Sequence, residues 1–447
     1  MIGLKESFGS VSYEQWIERL KKDLKSDDLH ELTKSDDIEN FDFTSYTHET
    51  SVNKDLQALP HHLLLQEKND WKNGVIIVVD DEKKANTKAL DVLMKGADAL
   101  HFILEKAAIN WDVLLDNIGL EFIFTEFTIQ TKEQFQEINN RIGKNYPSNL
   151  AVNIDLMIDA NSKESVQSFI SLLNGNFYPV FLVDGYSIQQ CGANITEELA
   201  FCLSTGNEYL IRLIEAGLTI DEAARCLHFK LGVGAHYFQE IAKFRSFKAL
   251  WAAVVNEYKP QVASSTNCML SAQIGLMNKS LIDPYTNLLR QTTETMSATI
   301  GGVHRIFVLP YDSEAATGSS QLSERMALNI SLILKEESYF DNVIDPIGGS
   351  YSIEQLTEII IKKAWILFGE LDEIGGVFND QALNLLREAI AATALNRINR
   401  AIDKKDTLIG INKYTTSSDL SVSFKEIKIY LQIPQLILER ELIPAKA

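Results

Sequence analysis

The sequence of 447 residues contains little cysteine, and what it has follows no pairing pattern. Its four cysteines show neither a C-x-x-C motif nor zinc-type spacing; they are Cys191, Cys202, Cys226 and Cys268. This usage argues against a disulfide framework and indicates free thiols in a reducing compartment. The amino terminus also lacks the basic region and apolar core of a secretory signal. We therefore expect a soluble, cytoplasmic chain.

Basic surface is scarce as well. The chain has 42 Lys and Arg against 61 Asp and Glu, which gives a formal charge of −19. The basic pairs along the sequence are isolated and stand beside acids. A field of this sign repels phosphate backbones and anionic lipid, so we expect neither nucleic acid nor a membrane surface as a partner. The sequence also has no uninterrupted apolar run long enough to span a bilayer.

The familiar catalytic motifs are absent too. The sequence has no G-x-S-x-G nucleophile elbow, no G-x-x-x-x-G-K-[ST] phosphate loop and no H-E-x-x-H metal motif. None of its eight histidines stands at metal-ligand spacing from another ligand. These absences predict a protein without a resident metal ion and without an obvious catalytic constellation.

What the sequence does contain, from residue 74 onward, is a regular alternation of β-rich and helical segments. The β-rich runs are 74–79, 99–104, 121–125, 150–156, 179–183, 227–233, 262–267 and 305–309. Strands that alternate with helices form right-handed βαβ units, and eight units are the number that closes a (β/α)₈ TIM barrel. An open doubly wound sheet is the alternative, but no G-x-G-x-x-G follows the first run. The pattern favours the barrel.

The segments that flank this alternation differ from it. Residues 1–70 are predicted to form an extended arm, residues 71–345 the barrel, and residues 346–447 a helical extension with a tail. The arm contains an amphipathic helix near residues 13–24 and several aromatic side chains, namely Trp16, Phe41, Phe43 and Tyr46. It could be a frayed terminus, or it could wrap a partner that covers these aromatic residues. We expect the second.

Acidic residues recur where the strands end. In a (β/α)₈ barrel the catalytic groups lie at the carboxyl ends of the strands, and this position singles out Asp155, Asp184 and Tyr186 as acid–base candidates. Glu126 also follows a predicted strand. The alternative is that such acids cap the helices that follow.

Several longer segments carry a resemblance to a known family. Residues 185–193 are similar to its G-Y-H-x-Q-E-A-G-A segment, and residues 232–245, 283–290 and 345–351 are similar to further segments in the same order. Together they resemble the methylmalonyl-CoA mutase family over about residues 180–415. The resemblance implies a barrel that threads an acyl-CoA along its axis. It also implies a radical isomerisation that begins from adenosylcobalamin, which a separate domain holds.

The departures from the family are concentrated at its polar site positions. Its histidine positions are occupied here by Ser187, Ser271 and Phe307, with Met269 at an arginine position and His304 at a glutamine position. These changes imply that the chain has no catalytic residues of its own. In this respect it resembles the small, non-catalytic (beta) branch of the family.

The cofactor motif is missing as well. No histidine follows His304, so the family's D-x-H-x-x-G motif does not occur after it, and we expect no cobalamin-binding domain and no cofactor bound by this chain. The implied partner is a large (alpha) catalytic subunit that carries adenosylcobalamin, and the isolated chain is expected to be inactive, with a homodimer possible. A stand-alone barrel enzyme or binding protein that acts on an acyl-CoA is the alternative.

Overall fold

The computed structural model describes residues 11–28, 33–44, 47–48, 68–157, 162–173, 175, 177–415 and 422–442. Tyr46, one of the aromatic residues expected to contact a partner, lies outside these residues. No helix in this part of the chain is long and apolar enough to cross a membrane.

The described residues form one parallel sheet of eight strands. The strands are β3 (Lys72–Val79), β4 (Ala99–Leu104), β5 (Phe124–Thr128), β6 (Leu150–Asn153), β7 (Phe181–Asp184), β8 (Leu227–Val233), β9 (Leu270–Ile274) and β10 (Arg305–Phe307). The strands pair with their neighbours in sequence except at β6 and β7, which end the sheet, and β10 returns to β3 with Phe307 opposite Gly74. The backbone of β6 also bonds to that of β7, because Ile154 N donates to Val180 O at 3.1 Å. The sheet is therefore a barrel, as the alternation predicted.

Helices surround this barrel. They are α2 (Glu82–Met94), α3 (Trp111–Leu114), α4 (Lys132–Ile138), α5 (Ser162–Leu173), α6 (Gly185–Gln190), α7 (Ile195–Glu215), α8 (Ile220–Arg225), α9 (Tyr237–Glu257), α10 (Thr286–Ile300) and α11 (Gln321–Leu332). The apolar residues that face outward from the strands pack against these helices. One continuous core results, in which Phe102, Phe127 and Phe229 are completely buried. Outward-facing apolar side chains thus join the barrel to its helices.

One predicted strand was wrong. Residues 262–267 were expected to be the seventh strand, but Ala263–Thr266 form a turn of 3₁₀ helix and the strand is β9, which starts at Leu270. The side chains of Ser265 and Asp221 explain the turn, since Ser265 Oγ donates to Asp221 Oδ1 at 2.6 Å. Ser264, Ser265 and Thr266 therefore do not line the barrel axis.

The amino-terminal region consists of α1 (Tyr13–Leu24) and a hairpin of β1 (Thr33–Asp36) and β2 (Phe41–Thr44). The hairpin is attached to the barrel helices: Glu39 accepts from Ile195 N at 2.9 Å, and Gln239 Nε2 donates to Asp36 at 2.8 Å. Phe41 is buried in the main core and Phe43 packs against it, so both rings are covered by this chain itself.

The carboxyl-terminal region adds α12 (Tyr351–Glu373), α13 (Asp380–Ile402), a short hairpin of β11 (Ile429–Tyr430) and β12 (Ile433–Pro434), and α14 (Leu438–Leu442). Helix α12 packs along α7 and α9, and its residues Ile353, Leu356 and Ile360 belong to the main core. The predicted helical extension is therefore part of the same packed body as the barrel.

Candidate functional site

The three acid–base candidates lie together at the carboxyl end of the barrel. Asp184 is the last residue of β7, and Tyr186 lies just after it in α6. Asp155 lies just after the end of β6, the strand next to β7. Asp184 caps α6, because it accepts from Ser187 N at 3.1 Å and from Ser187 Oγ at 2.6 Å. Asp81 caps α2 in the same way. Both carboxylates thus cap the helices that follow them.

Asp155 is held from two sides by tyrosine hydroxyls. Tyr430 of β11 donates to Oδ2 at 2.7 Å and Tyr209 of α7 donates to Oδ1 at 3.1 Å. Burial, together with the charge of Asp184, raises the pKa of Asp155 to about 6. Burial also raises the pKa of Tyr186 well above that of a free phenol. The cluster thus joins the barrel mouth to the tail, with one carboxyl group that titrates near neutrality.

The interior of the barrel contains a second cluster, which is charged. Glu126 of β5 points to the barrel axis, where Lys230 Nζ of β8 lies 3.1 Å and Arg305 Nε of β10 lies 3.6 Å from its carboxylate. Asn153 Nδ2 donates to the same carboxylate at 2.8 Å, and His101 Nδ1 lies 3.6 Å from it. All five side chains are buried. Glu126 is therefore not an acid at a strand end, as the sequence indicated, but lies in mid-strand inside the barrel.

The electrostatics of this cluster leave one positive charge in excess. Burial favours the neutral form of Glu126, but the charge of Lys230, together with that of Arg305, outweighs burial and holds the pKa of the carboxyl group well below its usual range. Burial lowers the pKa of both His101 and His228 to about 3, so both imidazoles are neutral. One carboxylate thus faces two cations.

Phe307 lies over the charged cluster. Lys230 Nζ is 5.5 Å from the centre of its ring, and the ring of His101 is 5.8 Å away in an edge-to-face arrangement. On the opposite side the ring fills the space beside Gly74, where any Cβ would overlap it. The charged cluster and this ring together occupy the central section of the barrel.

The other two family positions are engaged in local hydrogen bonds. Ser271 is completely buried, and its hydroxyl donates to Phe229 O of the adjacent strand at 3.1 Å. The hydroxyl of Ser187 donates to Asp184, as described above. Both hydroxyl groups thus stabilise the barrel wall or its first helix turn.

A buried ion cluster outside the barrel was missed by the sequence reasoning. Lys243 of α9 is completely enclosed, and its Nζ lies 3.0 Å from Glu198, 2.6 Å from Glu240 and 2.6 Å from Gly232 O. Burial raises the pKa of Glu198 to about 7. The sequence feature that could have revealed this cluster is one lysine and two glutamates among the apolar residues of two helices. Periodicity alone assigns such charged residues to the solvent-exposed face of a helix. In the described residues no group of histidine, cysteine and acidic side chains could hold a metal ion.

Comparison with known proteins identifies the family. The family model described as "Methylmalonyl-CoA mutase" matches residues 161–432, which is more than half of the chain. The small subunit of methylmalonyl-CoA mutase from Porphyromonas gingivalis is 32% identical over 443 residues, covering 93% of this chain and 71% of that subunit. The chain belongs to the methylmalonyl-CoA mutase family.

Other mutases match over a smaller region. The Rhizobium meliloti mutase is 34% identical over 55% of this chain and 34% of its own length, and the Bos taurus mitochondrial mutase is 36% identical over 54% and 32%. The chain thus spans about a third of these longer relatives, whereas its match to the small subunit extends over most of both chains.

Proposed function

We propose that this chain is the small, non-catalytic subunit of an adenosylcobalamin-dependent methylmalonyl-CoA mutase. In this proposal the conversion of methylmalonyl-CoA to succinyl-CoA is carried out by a large subunit, and the present chain binds and stabilises that subunit. The observation that carries the proposal is that buried side chains fill the barrel axis, where a mutase of this family would need space for its substrate.

The packing of the axis supports the absence of catalysis. Glu126, Lys230 and Arg305 meet at its centre, and the ring of Phe307 closes against Gly74. An extended thioester chain on this path would have to displace three buried charged groups, each of which would lose its partners without gaining water. The serine hydroxyls at two of the family's histidine positions bond within the barrel itself, so neither is directed to a bound thioester.

Four described histidines of the barrel region do not fit a cobalamin ligand. His101 and His228 are buried in the barrel and His304 is half-buried beside β10, and burial lowers the pKa of each to about 3. His236 is exposed but bonds to Gln239 at 2.7 Å and lies 3.5 Å from Asp36, where it helps to attach the hairpin. We therefore place adenosylcobalamin in the partner and assign no step of its chemistry to these residues.

Helix α1 is the part of the arm most suited to contact the partner. None of its residues is buried, yet Tyr13, Trp16, Ile17 and Leu20 form a half-covered stripe at helical spacing. A helix of 12 residues is only marginally stable without packing on this stripe. Because Phe41 and Phe43 are already covered within the chain, Trp16 is the aromatic residue that we propose for the interface.

The direct test compares the chain with its complex. The full chain and the large subunit encoded in the same genome are purified separately and together, and turnover of methylmalonyl-CoA is measured with added adenosylcobalamin. We expect no turnover by this chain, turnover by the complex, and stable co-purification of the two. Turnover by this chain alone would contradict the proposal, as would failure of the two proteins to associate.

The second candidate, an enzyme that acts on an acyl-CoA by acid–base chemistry, has one observation in its favour. Asp155 has a pKa of about 6 and lies beside Asp184 at the barrel mouth. Binding of an acyl-CoA measured by calorimetry, and its loss in Asp184→Ala, would favour this function. Because both oxygens of Asp155 accept tyrosine hydroxyls, we expect no such binding.

A further inference from the structure

A groove on the outside of the barrel separates α2 from α11. These are the helices that follow β3 and β10, the two strands at which the barrel's chain order begins and ends. The groove encloses about 940 Å³, which lies within the range of about 300–1,000 Å³ that is typical of small-molecule sites. It arises because β10 ends at Phe307, so that the upper half of β3 has no ladder partner on that side.

The floor of the groove is apolar. Val75 of β3 and Val308, which follows β10, are half-buried side chains that face it, while Val92 of α2 and Leu328 of α11 close it from the helices. The two helices are joined across the groove by the ion pair of Lys88 and Glu324, with 2.6 Å between Nζ and Oε1. The apolar floor is thus accessible on both sides of the Lys88–Glu324 ion pair.

The walls carry positive charge in a chain that is strongly negative. Five cationic side chains line the groove against three acidic ones, an excess of two positive charges, whereas the whole chain has a charge of −19. Lys95 and Lys88 are paired with Asp91 and Glu324. Arg325 and Lys84 form no ion pair with any residue that the structure describes.

The unpaired cations are concentrated at one end. Lys84 lies in the first turn of α2 and Arg325 in the second turn of α11, and both helices begin at the carboxyl end of the barrel. The amino-terminal end of α11, which the neutral Ser320 caps, adds partial positive charge to the same place, whereas α2 is capped there by the carboxylate of Asp81. A guanidinium group binds a carboxylate or a phosphate through two parallel hydrogen bonds. The groove therefore has an apolar floor below and an anion-attracting end above.

We propose that this groove binds an amphipathic anion, a molecule with an apolar chain and one carboxylate or phosphate group. The chain lies on the floor formed by Val75, Val308 and Leu328, and the anionic group is held by Arg325 and Lys84. The site lies outside the barrel, so it is independent of the proposed role in the mutase complex.

The test titrates the full-length chain with octanoate, monooctyl phosphate, 1-octanol and inorganic phosphate by calorimetry. We expect saturable binding of the first two and none of the last two. Tighter binding of octanoate would assign a carboxylate headgroup and the reverse order a phosphate monoester; either order supports the site. Binding of octanol equal to that of octanoate would overturn the anionic part. Binding of inorganic phosphate equal to that of octyl phosphate would overturn the apolar part.

Variants localise the binding. Arg325→Ala is expected to raise the dissociation constant of octanoate about fivefold, the effect of losing one exposed ion pair. Val75→Glu, which places a negative charge on the floor, should abolish binding. Lys144→Ala is the matched control, because Lys144 is exposed, lies outside the groove and forms no ion pair with the described residues. A loss as large in Lys144→Ala as in Arg325→Ala would contradict the proposal.

A protein occupant would give a different result. If neither octanoate nor octyl phosphate binds, and α2 and α11 become protected from hydrogen exchange when the large subunit is added, the groove is a protein interface and the proposal is overturned. We expect the thermal unfolding of Arg325→Ala and Lys144→Ala to match that of the parent chain, because both side chains are exposed. Val75 belongs to the half-buried floor, so the binding result for Val75→Glu counts only if the unfolding of that variant also matches the parent chain.

Discussion

Tyr430 donates a hydrogen bond to Asp155 at 2.7 Å, and the two residues are 275 positions apart in the chain. The bond connects a tail hairpin to the end of β6, beside the place where β6 and β7 close the barrel. It joins the carboxyl-terminal region and the barrel mouth into one unit, and it links the protonation of Asp155 to folding.

The first prediction concerns pH. The pKa of Asp155 is raised to about 6 from an ordinary 3.8. The folded chain thus holds a proton that the unfolded chain releases, and this stabilising contribution is complete below about pH 4 and lost as the pH rises through about 6. The difference amounts to at most about 3 kcal/mol. Asp155→Asn, which cannot titrate, should therefore gain stability relative to the parent chain between pH 4 and pH 7.

Urea unfolding at these two pH values measures the effect. Tyr430→Phe is the companion variant: it removes the hydroxyl that lowers the pKa of Asp155, so the loss of stability should extend to higher pH. If the parent chain and Asp155→Asn had parallel pH profiles, the carboxyl group would not be coupled to folding.

The second prediction concerns the charged cluster inside the barrel. Glu126→Gln leaves Lys230 and Arg305 buried without a counter-charge, and we expect it to lower the free energy of unfolding by about 3–5 kcal/mol. The control is Glu121→Gln, an exposed glutamate that precedes the same strand, with an expected change within about 0.5 kcal/mol. If urea unfolding gave the same change in free energy for both variants, Glu126 would not stabilise the buried charges of Lys230 and Arg305.

The third prediction concerns the contact of Phe307 with Gly74. A methyl group at residue 74 would overlap the ring, so Gly74→Ala should cost about 1–3 kcal/mol. In the double variant with Phe307→Leu, the smaller side chain leaves room, and the combined cost should be less than the sum of the two single costs. Additivity within about 0.5 kcal/mol would contradict a direct contact.

The fourth prediction concerns helix α1. Trp16→Ala should weaken binding to the large subunit by about tenfold or more, because a partly covered tryptophan at an interface is a typical hot spot. Stability of the isolated chain should fall by only about 0.5–1.5 kcal/mol, the contribution of a ring pair, since Trp16 is half-covered and stacks on Tyr13. Glu18→Ala, on the polar face of the same helix, is the control for binding measured by sedimentation velocity. Unchanged affinity in Trp16→Ala would place the interface elsewhere.

Much of the fold could be predicted because the spacing of apolar residues along the sequence matches the strands and helices of the structure. Strands β4 and β8 and helix α1 have the predicted bounds. Strand β9 was missed although its sequence, Leu-Ser-Ala-Gln-Ile, alternates apolar and polar residues, because the run at 262–267 had been taken as the seventh strand. The polar face here points into the barrel, which local sequence does not reveal.

The site was harder to predict for the same physical reason. Glu126 and Lys230 are charged residues within strands, and a single sequence assigns such residues to solvent or to a strand end. Only the closed barrel brings β5, β8 and β10 together so that these charges meet. Likewise, Asp155 stood out by position, but the tyrosines that hold it come from distant helix and tail segments.

The meeting of Glu126, Lys230 and Arg305 in the barrel has a consequence for how this lineage can diverge. Losing Glu126 leaves two buried cations without a counter-charge, and losing both cations leaves an unpaired buried carboxylate. Replacing all three by apolar residues, in contrast, is often tolerated. A population that fixes one substitution at a time must therefore pass through poorly folding intermediates. Descendants of this chain should therefore keep Glu126 together with at least one of the two cations, or lack all three residues.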